Sequence, residues 1–437
     1  MSRVRFWMDF MIPKLRRVFE FMSAQGITMA GNLLYGLLCV RLLPIPEYAK
    51  FVVVFAIQGT TVVLMDIGIT GSLIPLVGHR IDDRQLIADY VASLRQLAHW
   101  LFAIVAPLMI VAFPLLVRKR NWTWQIVAGM VIILLVSTWF ARVSAAYGSV
   151  LIVRRDRKRW YRAQMVSSLG TLALLLVFWA FHWLTGFSAI LINVAGIISV
   201  ALTYFLRARH LLGTRGVPSR QKRNAIVQLT LPSIPGVVFY ALQGQISVLM
   251  ITTFGRTAAV ASVGALARLG QVFSLVAQMN PMLVEPYFAK LSRTQLKANY
   301  LIAIGVVGGI GIFAVGLAGF FPQLFLWVLG PKYYNLHFEV LQVMIGGAIG
   351  LVSGLFSSMN GSRRFNYYWQ NLTTITLVLI VQATIIWKTD MSTVQGVLWL
   401  GIGSSAAALT SNILGAFYGF ARGGRRIEGL DNSLERK

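Results

Sequence analysis

With 437 residues, 57% of them hydrophobic and only 12% charged, the chain has a mean hydropathy of +0.69. That composition excludes a large soluble domain and marks an integral membrane protein. A net charge of +26 would suit a nucleic-acid binder, but the basic residues cluster in the breaks between long apolar runs, so no nucleic-acid partner is expected.

Residues 1–20 are basic and amphipathic, with Phe6, Trp7, Met8, Phe10 and Met11 set against Arg3, Arg5, Lys14, Arg16 and Arg17. This pattern reads as an interfacial helix and not as the apolar core of a cleavable signal. Twelve apolar stretches long enough to cross a bilayer as helices follow. The first six are about 22–43, 49–77, 97–117, 124–149, 164–184 and 187–206. The second six are about 226–252, 258–285, 299–320, 338–358, 369–388 and 394–418. The expected fold is all-α and integral to the membrane, with twelve transmembrane helices in two pseudo-symmetric six-helix lobes. Its parts are the interfacial helix 1–20, an N-terminal lobe 21–206, a basic linker 207–225, a C-terminal lobe 226–418 and a basic tail 419–437.

The symmetry rests on polar stripes. Gln25, Thr28, Asn32 and Tyr35 in the first span follow i, i+3, i+7, i+10. Ser233, Gly236, Tyr240, Gln243 and Ser247 in the seventh repeat that spacing with one more turn, so both lobes would open on a helix with a polar face. Pro232 and Pro235 are expected to break or bend the seventh span, and Pro75 the second.

Orientation follows from Lys and Arg. With the N-terminus inside, most of the 40 basic residues fall on the inner face. Arg41, Lys50, Arg118, Lys119, Arg120, Arg256, Lys332 and Lys388 fall outside. Both termini are therefore expected to be cytoplasmic. The cluster Arg118-Lys119-Arg120 breaks the rule locally and leaves the boundaries of the third and fourth spans open.

Four charges matter most because charge within a bilayer is costly, about 2.5–3.5 kcal/mol per residue on insertion scales. In the eighth span Arg268, Gln271, Ser274, Gln278 and Glu285 fall within about a third of the helix circumference, while Asn280 points elsewhere. Arg268 and Glu285 either line a polar path or tie helices together. Asp66 in the second span reads either as half of a structural ion pair or as a proton- or substrate-coupling group. Arg142 shares a small, polar face with Thr138, Ala145 and Ser149. If Arg142 and Arg268 meet one cavity, that cavity is cationic and selects an anion, since guanidinium forks match phosphate oxygens.

Other chemistry is excluded. Cys39 is the single cysteine, and His79, His99, His182, His210 and His337 show no ligand spacing, so no metal or cofactor site is expected. No nucleotide loop or paired catalytic motif is present, and the longest external segment, about 321–337, carries no acid–base pair. An enzyme such as a polysaccharide polymerase or ligase is disfavoured.

The run Val40-Arg41-Leu42-Leu43-Pro44-Ile45-Pro46-Glu47-Tyr48-Ala49-Lys50-Phe51 resembles the junction after the first span of the polysaccharide flippases of the multidrug/oligosaccharidyl-lipid/polysaccharide exporter superfamily. Asp66-Ile67-Gly68 resembles the D-x-G that follows, and Gly255 to Gly264 more loosely resembles the second-half counterpart. The glycine usual before the proline–glutamate is absent. The resemblance implies two six-helix lobes flanking a V-shaped cavity. It also implies flipping of an undecaprenyl-diphosphate-linked oligosaccharide across the bacterial inner membrane by alternating access, for surface polysaccharide synthesis. Arg268 and Arg142 would attract the diphosphate, and Gln271, Gln278, Gln243 and Asn32 would contact sugar hydroxyls. Asp66 or Glu285 would couple to an ion. Partners would be the lipid-linked oligosaccharide, membrane lipids, and a polysaccharide polymerase with its chain-length regulator. The rival within the superfamily is a multidrug exporter, which the two mid-span arginines disfavour.

Overall fold

The computed structural model describes residues 25–422, except 78, 79, 81, 121, 232, 233, 364, 366 and 367. The expected interfacial helix, His79, Pro232, Ser233 and most of the basic tail lie outside the described residues. Those described fold as α-helices without strands. Residues 25–42 form α1, followed by α2 (Ile45–Asp66), α3 (Leu73–Val77), α4 (Arg84–Val117), α5 (Trp124–Val153), α6 (Arg157–Ala180) and α7 (Gly186–Leu212). Then come α8 (Arg220–Thr230), α9 (Ile234–Gln243), α10 (Ile246–Phe254), α11 (Thr257–Ala277) and α12 (Asn280–Lys290). The chain finishes with α13 (Arg293–Phe320), α14 (Pro322–Leu329), α15 (His337–Ser362), α16 (Tyr368–Lys388) and α17 (Val394–Arg422).

Ten of these helices are long and apolar enough to cross a membrane. The bent pair α8 and α9 would make an eleventh, and α1 falls where the first of the twelve expected spans was placed. The chain divides into two compact units, one ending at Gln245 and the other starting at Ile246. The expected linker is largely helical. Here α7 runs on to Leu212 and α8 begins at Arg220.

Each unit repeats one packing scheme. In the first, the fourth span (α5) packs on the sixth (α7), with the second (α2), third (α4) and fifth (α6) around them. In the second, the tenth (α15) packs on the twelfth (α17), with the eighth (α11), ninth (α13) and eleventh (α16) in the equivalent places. The second and eighth spans even break after helices of matching length, 22 and 21 residues. The pseudo-symmetry therefore lies in the packing, and the polar stripes express it poorly. Tyr35 donates to the carbonyl of Ala189, and the Thr28 carbonyl accepts from Ser168 Oγ at 3.0 Å. Asn32 of the same stripe is exposed.

Three spans are interrupted; a break was expected in the second and the seventh but not in the eighth. The second ends at Asp66, well before Pro75. The Asp66 carboxylate accepts from Thr70 N at 3.1 Å and from Thr70 Oγ1 at 2.6 Å, while Ile67 and Gly68 take φ of 34° and 84°. A side chain that bonds its own downstream backbone ends a helix, and Gly68 supplies the left-handed conformation at little cost. The eighth span stops at Ala277, because Pro281 has no N–H with which to continue the ladder. The seventh breaks again at Gly244–Gln245.

The third span ends at Val117 and the fourth begins at Trp124, as expected, but α4 starts at Arg84, ahead of the expected 97, and α5 runs on to Val153. At about 1.5 Å per residue, the 34 residues of α4 extend about 51 Å, so Arg118–Arg120 stand at the far end from Arg84. The cluster therefore does not mark a boundary error between the third and fourth spans.

The junction motif is structural. Glu47 Oε2 accepts from Gly186 N at 2.9 Å, and Oε1 accepts from Lys50 Nζ at 2.6 Å, tying the start of α2 to the start of α7. Tyr48 and Phe51 are buried beside it with ring centroids 6.0 Å apart.

Residues between α15, α16 and α17 form a polar seam that sequence reading passed over. Asn412 Nδ2 donates to Ser353 O and Oγ at 3.2 and 3.1 Å, its Oδ1 accepts from Gln370 Nε2 at 3.0 Å, and its carbonyl accepts from Asn360 Nδ2 at 2.9 Å. Asn412→Ala would strand partners in a dry core at about 1–3 kcal/mol each. It is expected to lower the melting temperature of the purified protein by several degrees; an unchanged melt would show that the seam is not supporting the second unit.

Candidate functional site

The first unit contains a cavity of about 370 Å³. Its walls come from α2 (Val62, Met65, Asp66), the turn after it (Gly68, Ile69, Thr70), α4 (Leu94, Ala98), α5 (Ala141, Arg142, Ala145) and α9 (Val237). The helix break places the site, since ending α2 at Asp66 turns the carboxylate and Thr70 toward α5. Ala141 and Ala145 bracket Arg142 with small side chains and leave room beside the guanidinium.

Arg142 is 8% exposed. Its guanidinium carbon stands 3.7 Å from the Trp139 ring centroid and 6.0 Å from that of Phe102. Cation–π stacking of this kind holds an arginine without neutralising it. Nη1 is buried and has no hydrogen-bond partner. A buried donor left unpaired is destabilising, so the position suits a ligand atom or water that completes it. By contrast, Arg207 and Lys222 of this unit are paired. Arg207 Nε meets Asp156 Oδ2 at 2.8 Å, and Lys222 Nζ meets Asp89 Oδ2 at 2.6 Å.

The segment between α7 and α8 braces the α4 side of the cavity floor without lining it. Asp89 on α4 accepts from Val217 N at 2.8 Å, Ser93 Oγ accepts from Ser219 N at 3.1 Å, and Arg223 Nη1 donates to Gln96 Oε1 at 2.9 Å. This strap carries Ile226 into a cluster with Ile69, Leu94 and Ala98, three of the cavity's own lining residues.

Of the eight residues singled out from sequence, the structure brings Asp66 and Arg142 together here. Arg268 lies in the second unit on α11, 5% exposed, and donates from Nη1 to Gln271 Oε1 at 3.4 Å. The single polar face expected for the eighth span is cut, with Gln278 capping α11 and exposed and Glu285 half-buried on the separate α12. Asn280, expected to point elsewhere, is buried at 7% exposure. Asn32 is exposed on α1 and Gln243 is half-buried at the end of α9; neither lines the cavity. Sequence reading missed Trp139 and Thr70, although Trp139 stands three residues before Arg142, the spacing that puts two side chains on one helix face. Among the described residues no group of His, Cys, Asp and Glu could hold a metal ion.

No protein-family model and no curated protein matches the chain. Solved structures do. An inward-facing multidrug resistance MATE family transporter of the MOP superfamily aligns at a TM-score of 0.69 and 17% identity, over 93% of this chain and 96% of its own. The lipid II flippase MurJ, in an inward closed conformation, aligns at 0.65 and 12%, over 92% and 86%. A MOP superfamily transporter from Pyrococcus furiosus, whose binding pocket is described as having reverse polarity, aligns at 0.55 and 16%, over 92% and 93%. At such identities the likeness concerns the fold, and it extends over nearly the whole length of each chain. The chain is a multi-span membrane protein with the fold of the MOP-superfamily transporters.

Proposed function

We propose that the chain is a flippase that moves an undecaprenyl-diphosphate-linked oligosaccharide across the bacterial inner membrane by alternating access, for surface polysaccharide synthesis, with both termini cytoplasmic. The observation that carries this reading is Arg142, which lines a cavity inside a lobe of transporter fold and whose buried Nη1 has no hydrogen-bond partner. An uncompensated guanidinium attracts anions and repels cations, and a diphosphate is the anion that such a lipid presents. Arg268 supplies a second buried cation on α11. The neighbours carry drugs or lipid II by name, so cavity charge is the discriminating feature among them.

A multidrug exporter is the second reading, and Asp66 favours it, because a carboxylate on the cavity wall would hold a cationic drug. Purified protein in liposomes separates the two. A fluorescent polyprenyl-diphosphate oligosaccharide is expected to reach the opposite leaflet, and a cationic dye run in parallel is expected to stay. Dye movement without movement of the lipid-linked sugar would transfer the assignment to drug export.

A further inference from the structure

Opposite charges sharing a small, water-poor cavity ordinarily pair, because their attraction is strong there. Asp66 and Arg142 do not: no Arg142 nitrogen comes within 4.0 Å of the Asp66 carboxylate. Each is held by something else. Thr70 donates twice to Asp66 Oδ1. Trp139 stacks on the Arg142 guanidinium and is itself braced edge-on by Phe102 and His99, at centroid distances of 5.1 and 5.4 Å. What remains is one unpaired donor, the buried Arg142 Nη1, and one acceptor without a partner, Asp66 Oδ2, on two residues that line a single cavity.

We propose that this cavity is a bipolar subsite for one phosphosugar unit of the cargo, a reading that rests on the flippase assignment. A phosphate oxygen accepts from Arg142 Nη1, hydroxyls of the adjoining sugar donate to the Asp66 carboxylate, and the ring lies along the apolar wall of Val62, Ala141 and Ala145. Two arguments carry it. The first is size. A volume of about 370 Å³ equals about twelve water molecules at roughly 30 Å³ each, which is enough for a sugar ring with its phosphate. The second is charge. Asp66 repels a bare anion and Arg142 repels a bare cation, so only a group offering an acceptor at one end and donors at the other satisfies both walls. Trp139 is a positioning residue, which keeps Arg142 off Asp66 and its Nη1 toward the ligand.

The test is calorimetric titration of the detergent-solubilised full chain with glucose 1-phosphate, inorganic phosphate and methyl glucoside. Glucose 1-phosphate is expected to bind at least tenfold more tightly than either half-ligand. Arg142→Gln and Asp66→Asn are each expected to weaken it at least tenfold. The charge swap Arg142→Asp with Asp66→Arg should not restore binding. Trp139→Phe should retain most of the affinity and Trp139→Leu should not, while ligand-free melting temperatures report whether each variant is folded. Equal affinity for inorganic phosphate, restoration by the swap, or no binding of glucose 1-phosphate would each overturn the proposal. Flipping of lipid-linked sugar without glucose 1-phosphate binding removes the subsite and leaves the flippase standing. Glucose 1-phosphate binding without flipping upholds the subsite and removes the flippase.

Discussion

Arg142→Glu is expected to lower the rate of lipid-linked sugar flipping by roughly 100- to 1000-fold, with normal amounts of protein in the liposomes. A hydrogen bond to a charged group contributes about 1.5–3 kcal/mol, and reversing the charge replaces that attraction with repulsion of the cargo by two carboxylates, Asp66 and the new one. A combined change of about 3–4 kcal/mol corresponds to the stated range at tenfold per 1.4 kcal/mol. Arg142→Lys is expected to recover no more than about a tenth of the wild-type rate, because an ammonium on a flexible stem neither stacks on Trp139 as a plane nor presents a fork. Initial rates over a cargo concentration series are the measurement. Wild-type flipping by Arg142→Glu would place anion recognition elsewhere and leave Arg142 a packing residue.

Gly216→Ala is expected to lower the melting temperature by about 10 °C and to expose the strap to trypsin at Arg215. A Cβ at this position would stand 1.9 Å from Ala88 O, 2.1 Å from Ala88 C and 2.6 Å from Asp89 N. All three are backbone atoms of α4, so no side chain can rotate away and the strap must lift. Lifting it breaks the bonds of Val217 N and Lys222 Nζ to Asp89 and of Ser219 N to Ser93 Oγ. At about 1 kcal/mol for each neutral bond and more for the charged one, the loss is about 3–5 kcal/mol, and 1 kcal/mol shifts a unit of this size by roughly 2–4 °C. Ile226 would withdraw from Ile69, Leu94 and Ala98, so the cavity floor should loosen as well. Wild-type melting and wild-type trypsin resistance together would show that the strap is not held as its contacts indicate.

The two changes act on one cavity by different routes, one through ligand charge and the other through a wall. Flipping rates alone would therefore not distinguish them. Trypsin does: Arg142→Glu should leave cleavage at Arg215 at the wild-type rate, whereas Gly216→Ala should raise it.

The twelve spans, their order and their helical character were legible in the sequence. Apolarity is a property of each residue, and summed over about 20 of them it decides locally whether a segment enters the bilayer. The mid-span charges at Asp66, Arg142 and Arg268 were legible for the same reason. What each polar group does once inside was not, because its partner lies on another helix. Only the folded chain shows that Tyr35 is engaged by Ala189 while Asn32 stays exposed, that Arg268 meets Gln271, and that Asn412 joins Ser353, Gln370 and Asn360. The breaks divide in the same way. Pro281 lay inside the span expected over 258–285 and its effect was passed over, while the end of the second depends on a carboxylate choosing Thr70 over a basic neighbour. Tertiary structure alone made a site of Asp66 and Arg142, by ending one helix and stacking an indole beside another so that two opposite charges share a cavity without meeting.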